Sequence, residues 1–147
     1  MFFLKELPSR RMVDGYANRF PDVDANRVLD ALLLMRRASL LIRDLEAYFA
    51  QHDLSQLRFL TLILIDREPE RDCLAASEIA ERLDVSRPVV TRTLQGLEKA
   101  DLIAISENAE DARSRNVALT LAGKGKLDKV LPGYFAILHR PDPGGEK

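Results

Sequence analysis

The sequence predicts a mainly helical protein with a small β-wing, and residues 77–121 carry that prediction. Two short helical patterns in this stretch flank a turn at Asp84-Val85. Two alternating strand patterns follow, separated by a polar loop that contains arginines. The order helix, turn, helix, strand, loop, strand defines a winged helix-turn-helix. This arrangement presents one helix and one loop to adjacent grooves of a DNA duplex.

Composition and charge restrict the class of protein. The 147 residues fit one domain of ordinary size, and 46% hydrophobic with 31% charged residues is typical of a soluble, packed protein. The net charge of −1 means that any nucleic-acid binding must come from local clusters of Arg and Lys. The apolar start at residues 2–4 ends at Lys5-Glu6, and no apolar run approaches the roughly 18 residues of a membrane span. We therefore expect no signal peptide and no membrane partner. The single Cys73 fits a reducing compartment, and we expect a cytoplasmic protein.

The N-terminal third is predicted to hold an arm and a long helix. Residues 1–21 form an arm that contains either one short helix or no ordered structure. Asp22 or Asp24 caps a helix that continues to about Gln51. A surface with so many apolar residues needs two packing partners, so the helix lies either against a partner subunit or at the centre of its own monomer. These residues form two adjacent rows, Val28, Leu32, Met35, Ile42 and Phe49, and beside them Leu29, Leu33, Leu40, Leu41, Leu45 and Tyr48.

A buried helix and a short strand are predicted ahead of the helix-turn-helix. Ser55 caps a helix over residues 56–66, whose apolar side chains cover nearly all of its faces. Residues 73–74 can form a very short strand. The first helix of the helix-turn-helix covers residues 76–83, with its apolar side chains turned inward.

The chain after the helix-turn-helix is predicted to form the wing and a last helix. The strands cover residues 103–106 and 117–121, around a loop at 107–116. Thr120 caps a helix over residues 122–131. We expect this helix to be interrupted at Pro132-Gly133, to resume at 134–140, and to be followed by a flexible tail at 141–147.

The second helix of the helix-turn-helix, from Ser86 to about Ala100, has a face suited to reading bases. Arg side chains fit the O6 and N7 of guanine, and Gln fits the N6 and N7 of adenine. The hydroxyl of Ser86 and the free N–H groups of this helix end can hold a phosphate, and Pro in the first turn costs no hydrogen bond. The alternative is an ordinary solvated helix face. The residues expected at the interface are Ser86, Arg87, Pro88, Val89, Thr91, Arg92 and Gln95.

The loop between the two strands is the second candidate contact. Arg side chains on a narrow β-ribbon suit the minor groove, whose negative potential attracts them. Asp111 stands two residues before Arg113 and is expected to orient its guanidinium by a charge-assisted hydrogen bond. The alternative is a solvated hairpin loop with an incidental ion pair. The residues expected at or near the tip are Asn108, Asp111, Arg113, Ser114 and Arg115.

Residues for catalysis or metal binding are not evident. His52 and His139 are far apart in sequence and pair with no nucleophile motif. Cys73 lacks a second Cys at metal-ligand spacing, so we expect a small, buried hydrophobic side chain there. The sequence therefore predicts no enzyme activity, no cofactor and no metal site.

The stretches SEIAERLDVSRPVVTRTLQGLEKADLI, EDARS and VALTLAGKG resemble the MarR family of bacterial transcription regulators. The second contains the wing motif Asp-x-Arg-Ser, and the third the entry to the next helix. The resemblance extends from the long first helix to about Leu138. This sequence departs from the family pattern at Asp101, where Gly is usual, at Ala112, where a second Arg is common, and at Ala75, where Ser or Thr is usual.

The resemblance implies a homodimer whose terminal helices intertwine. Residues 22–140 would form the MarR-type domain, with a DNA-binding lobe at 77–121 and dimerisation helices at 22–52 and 122–140. It further implies a repressor on a pseudo-palindromic operator with half-sites about one helical turn apart. A small aromatic or anionic effector would bind between the first two helices and the DNA-binding lobe, with Arg43 and Arg58 as candidate partners. The alternative from another class is a winged helix that binds only proteins.

Overall fold

The protein is described by a computed structural model that covers residues 2–141, so the predicted flexible tail lies outside the described residues apart from Pro141. Among the described residues, no helix is both long enough and apolar enough to cross a bilayer. The elements in chain order are α1 (Arg10–Arg19), α2 (Ala25–Ala50), α3 (Gln56–Asp66), β1 (Cys73–Ala75), α4 (Ala76–Arg82), α5 (Arg87–Lys99), β2 (Ile103–Glu107), β3 (Arg115–Leu119) and α6 (Leu121–Leu138).

The chain divides into two compact units. The winged unit is Tyr48–Phe135, and the terminal unit contains the chain up to Ala47 together with the chain from Ala136 onward. The winged unit therefore begins well before residue 77, because α3 and the last residues of α2 belong to it.

The start of the terminal unit contains the short helix that the sequence left open. Ser9 caps α1, and its side chain accepts a hydrogen bond from the N–H of Met12. Before it, the carbonyl of Phe2 accepts hydrogen bonds from Ser39 Oγ at 3.3 Å and from Arg43 Nη2 at 3.2 Å, both on α2. The first residues of the arm are therefore held against α2.

The long helix α2 begins as predicted at one of the two candidate caps. The carboxylate of Asp24 accepts hydrogen bonds from the backbone N–H of Asn26 at 2.9 Å and of Arg27 at 3.3 Å. These bonds satisfy two of the N–H groups that a helix N-terminus leaves without partners.

The core of the winged unit is built around α3. Ser55 caps this helix as predicted, with its side chain accepting from the N–H of Arg58. The ring of Phe59 lies 4.4 Å from that of Phe49 and 4.7 Å from that of Tyr134, measured between ring centroids. The other fully buried apolar side chains of this unit come from every element around α3, and they are Leu62, Leu74, Ile79, Leu97, Ile103, Val117, Leu127 and Val130.

The wing is one side of a three-stranded antiparallel sheet with the order β1-β3-β2. The short strand at residues 73–74 is confirmed, and it pairs Leu74 with Val117. The loop is shorter than predicted, because β3 already starts at Arg115, which pairs with Glu107 at the end of β2. Leu121, predicted in the strand, is instead the first residue of α6.

The last helix is continuous, so the predicted interruption at Pro132-Gly133 is wrong. α6 passes through Pro132, whose ring leaves the carbonyl four residues earlier without its helical partner. That carbonyl belongs to the exposed Asp128, where water can replace the lost bond. Tyr48 Oη donates to the carbonyl of Val130 at 2.8 Å. A Cβ at Gly133 would lie 2.2 Å from that same hydroxyl, so this glycine lets the Tyr48 ring approach the helix.

The connection from α5 to the wing depends on two backbone constraints. Asp101 adopts φ 59°, in the left-handed region that Gly adopts more easily, as its position after the helix suggested. A Cβ at Gly123 would lie 2.0 Å from the carbonyl oxygen of Leu102. The start of α6 therefore packs directly on the backbone that leads into β2.

Gly123→Ala should lower the free energy of unfolding by about 1–3 kcal/mol, because the new methyl group would overlap a backbone oxygen that cannot move without shifting β2. Urea denaturation followed by circular dichroism measures this. Gly125→Ala is the matched control two residues along the same helix, where a Cβ would meet no heavy atom within 4 Å. It should stabilise the protein by roughly 0.5–1 kcal/mol, since Ala restricts the unfolded chain. Equal effects of the two variants would contradict the close contact.

Candidate DNA-binding surface

The N-terminus of α5 is open to solvent and has the predicted cap residue. Ser86 occupies the N-cap position with extended backbone, and Pro88 follows in the first turn. Within the described chain, however, the Ser86 side chain makes no capping hydrogen bond. Its hydroxyl and the free N–H groups of this helix end therefore remain available to an anion.

The two faces of α5 differ sharply in burial. Val90, Leu94 and Leu97 are buried against the core. Thr91 Oγ1 donates its hydrogen to the carbonyl of Arg87 at 3.1 Å. The hydroxyl oxygen can therefore only accept a hydrogen bond from an external partner. The structure brings the predicted base-reading residues to the outer side of the helix, with Val89 half-buried and the others exposed, namely Arg87, Pro88, Thr91, Arg92 and Gln95.

The tip of the wing is a compact turn with its own hydrogen bonds. The N–H of Ser114 donates to the carbonyl of Asp111 at 3.0 Å, and the N–H of Asn108 donates to the carbonyl of Ser114 at 3.2 Å. The Asn108 side chain accepts from the N–H of Glu110 at 3.0 Å. These bonds fix the loop backbone and leave the Arg113 side chain exposed.

The predicted bond between Asp111 and the Arg113 guanidinium is wrong. The Asp111 carboxylate accepts instead from the backbone N–H of Arg113, at 2.9 Å. A carboxylate two residues before an N–H commonly closes such a turn, and here this local bond holds the carboxylate. Asp111 therefore shapes the turn rather than the direction of the side chain. Arg115 also differs from the prediction, because it is exposed on β3 and lies at the base of the loop.

A network of ion pairs that the sequence did not reveal holds α4, the first helix of the helix-turn-helix. Glu68, after α3, pairs with Arg82 at the end of α4 and with Arg71 at 3.3 Å. Arg71 also contacts the Glu78 carboxylate at 2.9 Å. Glu78 accepts from the N–H of Ala75 at 2.8 Å, which is the half of a capping box that does not need a hydroxyl at residue 75.

This network perturbs the acidity of its members. The hydrogen bond from Arg82, and next to it that from Arg71, holds the pKa of Glu68 below its usual value. The N–H of Ala75 and the guanidinium of Arg71 lower the pKa of Glu78. Hydrogen bonds to the two carboxylates raise the pKa of Arg71. The charged forms are thus the stable ones, as expected of a structural network.

The remaining candidate residues lie elsewhere. Arg43 lines a cavity of about 440 Å³ in the terminal unit, whose other walls include Met35 and Ile42. Arg58 belongs to the winged unit, where its guanidinium lies against Gly96 on α5. Arg43 and Arg58 therefore belong to different units.

Cys73 is half-buried on the edge strand β1, which is more exposed than predicted. Among the described residues, β1 pairs with β3 alone, so its other edge is not covered by a strand. Within the described residues, no group of His, Cys, Asp and Glu is placed to hold a metal ion.

The winged helix-turn-helix with an exposed second helix and an arginine-tipped wing defines a class of transcription regulators, and the comparisons with known proteins agree. A sequence profile of the MarR family matches residues 52–114. The HTH-type transcriptional repressor YetL of Bacillus subtilis is 30% identical over 134 residues, which are 90% of this chain and 79% of YetL.

Two crystal structures from Streptomyces coelicolor resemble the fold at 21% identity. AbsC, a MarR family transcriptional regulator, has a TM-score of 0.73 over 78% of this chain and 76% of AbsC. Sco3205, a regulator of the same family in complex with DNA, has a TM-score of 0.72 over 78% of this chain and 71% of Sco3205.

The chain belongs to the MarR family of transcriptional regulators. The predicted family, the winged-helix fold and the expectation of a regulator rather than an enzyme are therefore confirmed.

Acidification should reveal the network around Glu68. Folding lowers the pKa of Glu68, so the ionised Glu68 carboxylate stabilises the folded protein. This stabilisation is complete above the unfolded-state pKa of about 4.3 and is lost as the pH falls through the folded-state pKa. We expect Glu68→Gln to be less stable than the parent at pH 7, and the difference in melting temperature to shrink below about pH 4. Glu81→Gln on α4 removes an exposed carboxylate that has no ion pair within the described chain, and is the control. A constant difference between Glu68→Gln and the parent from pH 7 to pH 3 would contradict the network.

Proposed function

We propose that this protein is a homodimeric repressor that binds a pseudo-palindromic operator. α5 enters the major groove, and the wing reaches the neighbouring minor groove. The observation that carries the proposal is the exposed polar face of α5 beside a wing tip that carries Arg113, in a chain of the MarR family. The DNA complex of the fold neighbour Sco3205 supports the same kind of partner.

Base reading is assigned to the outer face of α5. Within the described chain, the side chains of Arg92 and Gln95 hydrogen-bond to no other residue, so their donors are available to base edges. Arg pairs with guanine and Gln with adenine. Ser86, Arg87 and the helix N-terminus supply contacts to phosphates, which fix position rather than sequence.

Minor-groove binding is assigned to Arg113. The Asx turn at Asp111 and the bonds from Asn108 hold the loop narrow, while the guanidinium projects from it without an ion pair inside the described chain. A narrow minor groove concentrates negative potential and attracts such a side chain. Ser114 at the end of the loop and Arg115 at the start of β3 are assigned to the flanking sugar–phosphate backbone.

Homodimerisation is assigned to the terminal unit, whose own core is small. Large apolar side chains of α1, α2 and α6 remain exposed there, including Met12 at 62%, Leu34 at 69% and Met35 at 50%. So many large exposed apolar side chains in one unit favour an interface with a partner subunit. A twofold dimer would then account for a pseudo-palindromic operator.

Relief of repression is assigned to a small aromatic or anionic molecule that binds the protein. The cavity beside Arg43 supports an aromatic effector, since its walls include Phe2, Met35 and Ile42. Its charged groups are the Arg43 guanidinium and the Glu46 carboxylate, so an anionic effector would have to bind on the Arg43 side. Arg58 remains a second candidate only if the effector reaches the winged unit. A regulator of this kind would act in the cytoplasm.

A winged helix that binds only other proteins is the second function to be tested. The net charge of −1 does not by itself favour DNA. Affinity for duplex that falls steeply with salt separates the two, because binding to phosphates releases counterions.

Operator binding by variants of α5 and of the wing tests the proposal. After an operator is selected from random duplexes, Arg92→Ala or Gln95→Ala should cost about 1–3 kcal/mol of binding free energy and relax preference at particular base pairs.

Arg113→Ala should weaken binding to many sequences, most of all those with A·T-rich flanks. It should also reduce the slope of log affinity against log salt by roughly 0.9 per subunit. Asp111→Ala should show a milder form of this effect, because it loosens the turn and keeps the guanidinium. Unchanged base preference in both α5 variants, together with parent-like salt dependence of Arg113→Ala, would refute this assignment.

Sedimentation at micromolar concentration tests the dimer. Leu34→Glu should shift the protein toward monomer, because a carboxylate would have to be buried in the apolar interface. Asn26→Glu adds the same charge at an exposed polar position in the first turn of α2 and should leave the dimer intact. A parent protein that sediments as a folded monomer would remove the basis for the pseudo-palindrome.

A further inference from the structure

The guanidinium of Arg58 occupies the place that a side chain at residue 96 would take. A Cβ built on Gly96 would lie 2.5 Å from Arg58 Nη2 and 3.3 Å from its Cζ. The glycine therefore allows a side chain of α3 to lie directly on the backbone of α5. Packing alone does not require a charged group at such a place.

The position of Gly96 on α5 shows where this charge lies. At about 100° per residue, Gly96 is about 40° around the helix from Arg92 and about 60° from Lys99. It is turned about 100° from the buried Leu97. Arg92 and Lys99 are both exposed. The guanidinium of Arg58 thus lies on the flank of α5, beside the face proposed to read bases, and three cations share that side of the helix.

Arg58 has no anionic partner among the described residues. Arg58 is half-buried, and none of the ion pairs within residues 2–141 includes its guanidinium. A partly desolvated cation gains more from a partner than one in bulk water does. The guanidinium approaches the helix through Nη2, the nearest of its atoms to the Cβ position of Gly96. Its planar fork of N–H groups matches two oxygens of a phosphate.

We infer that Arg58 binds a backbone phosphate of the DNA beside α5, and that Gly96 provides the space for it. The inference rests on the proposed function, because a helix in the major groove has a sugar–phosphate strand along its flank. It extends the DNA contact from α5 and the wing to α3. The contact carries no base identity, so it adds affinity to every sequence.

Salt dependence of operator binding by Arg58→Gln tests this contact. The slope of log affinity against log salt should become shallower by roughly 0.9 per subunit, and so by about 1.8 for a dimer, while base preference stays unchanged. Arg58→Lys keeps the charge and should retain most of the parent slope. Arg67→Gln removes the same charge from an exposed residue at the other end of α3 and should bind like the parent.

Gly96→Ala provides an independent measurement. Its methyl group should displace the guanidinium and reduce the slope when Arg58 is present, but should have little further effect on Arg58→Gln. Circular dichroism and melting curves establish that each variant is folded. Additive effects of the two substitutions would show that Gly96 does not act through Arg58.

The outcomes separate this inference from the proposed function. A parent protein without salt-dependent affinity for duplex refutes both. In a second outcome, the parent binds duplex and Arg113→Ala lowers the slope, but the line of log affinity against log salt for Arg58→Gln is parallel to that of the parent. The proposed function then stands, and the phosphate contact of Arg58 is refuted. A parallel line at lower affinity has the same meaning, since a purely structural role changes affinity equally at all salt concentrations.

Discussion

The burial of α3 determines where α5 and the wing can lie. Phe59 and Leu62 on this helix have no exposed surface, and α3 contacts both β3 and α5. Because protein interiors are close-packed, a helix filled with apolar side chains on most of its faces leaves its neighbours few alternative positions. The helix α5 proposed to bind DNA is therefore packed on this core, which suits a site that must match the spacing of a duplex.

Close backbone contacts restrict the same unit at the points where its elements join. The left-handed Asp101 ends α5, and Gly123 seats the start of α6 on the carbonyl of Leu102. The ion pairs around Glu68 hold the two ends of α4. Each of these contacts lies outside the exposed face of α5, yet each fixes the position of an element of the helix-turn-helix or of the wing.

The two units differ in how completely they bury their apolar residues. The winged unit encloses a core of aromatic and aliphatic side chains. In the terminal unit, Val13, Leu45 and Ile137 are the buried hydrophobic residues among those described, while many large ones remain exposed. Since burial of apolar area is the main source of stability, the terminal unit has most to gain from a partner subunit. In the proposed homodimer, this difference would link folding of the terminal unit to assembly.

The elements whose signals are local could be predicted from the amino-acid sequence. The capping bonds of Asp24 and Ser55 were predicted, and so was the N-cap position of Ser86, whose side chain makes no capping bond within the described chain. The short strand β1 and the two faces of α5 were also predicted, because caps and hydrophobic periodicity involve residues close together in the chain. The tertiary structure alone decided features that depend on distant partners. α6 continues through Pro132, although the carbonyl of the exposed Asp128 loses its helical hydrogen bond and is left to water. Gly133 leaves space beside the helix for the Tyr48 ring. The contact between Arg58 and Gly96 likewise joins residues on two helices, and only packing of α3 against α5 could bring them together.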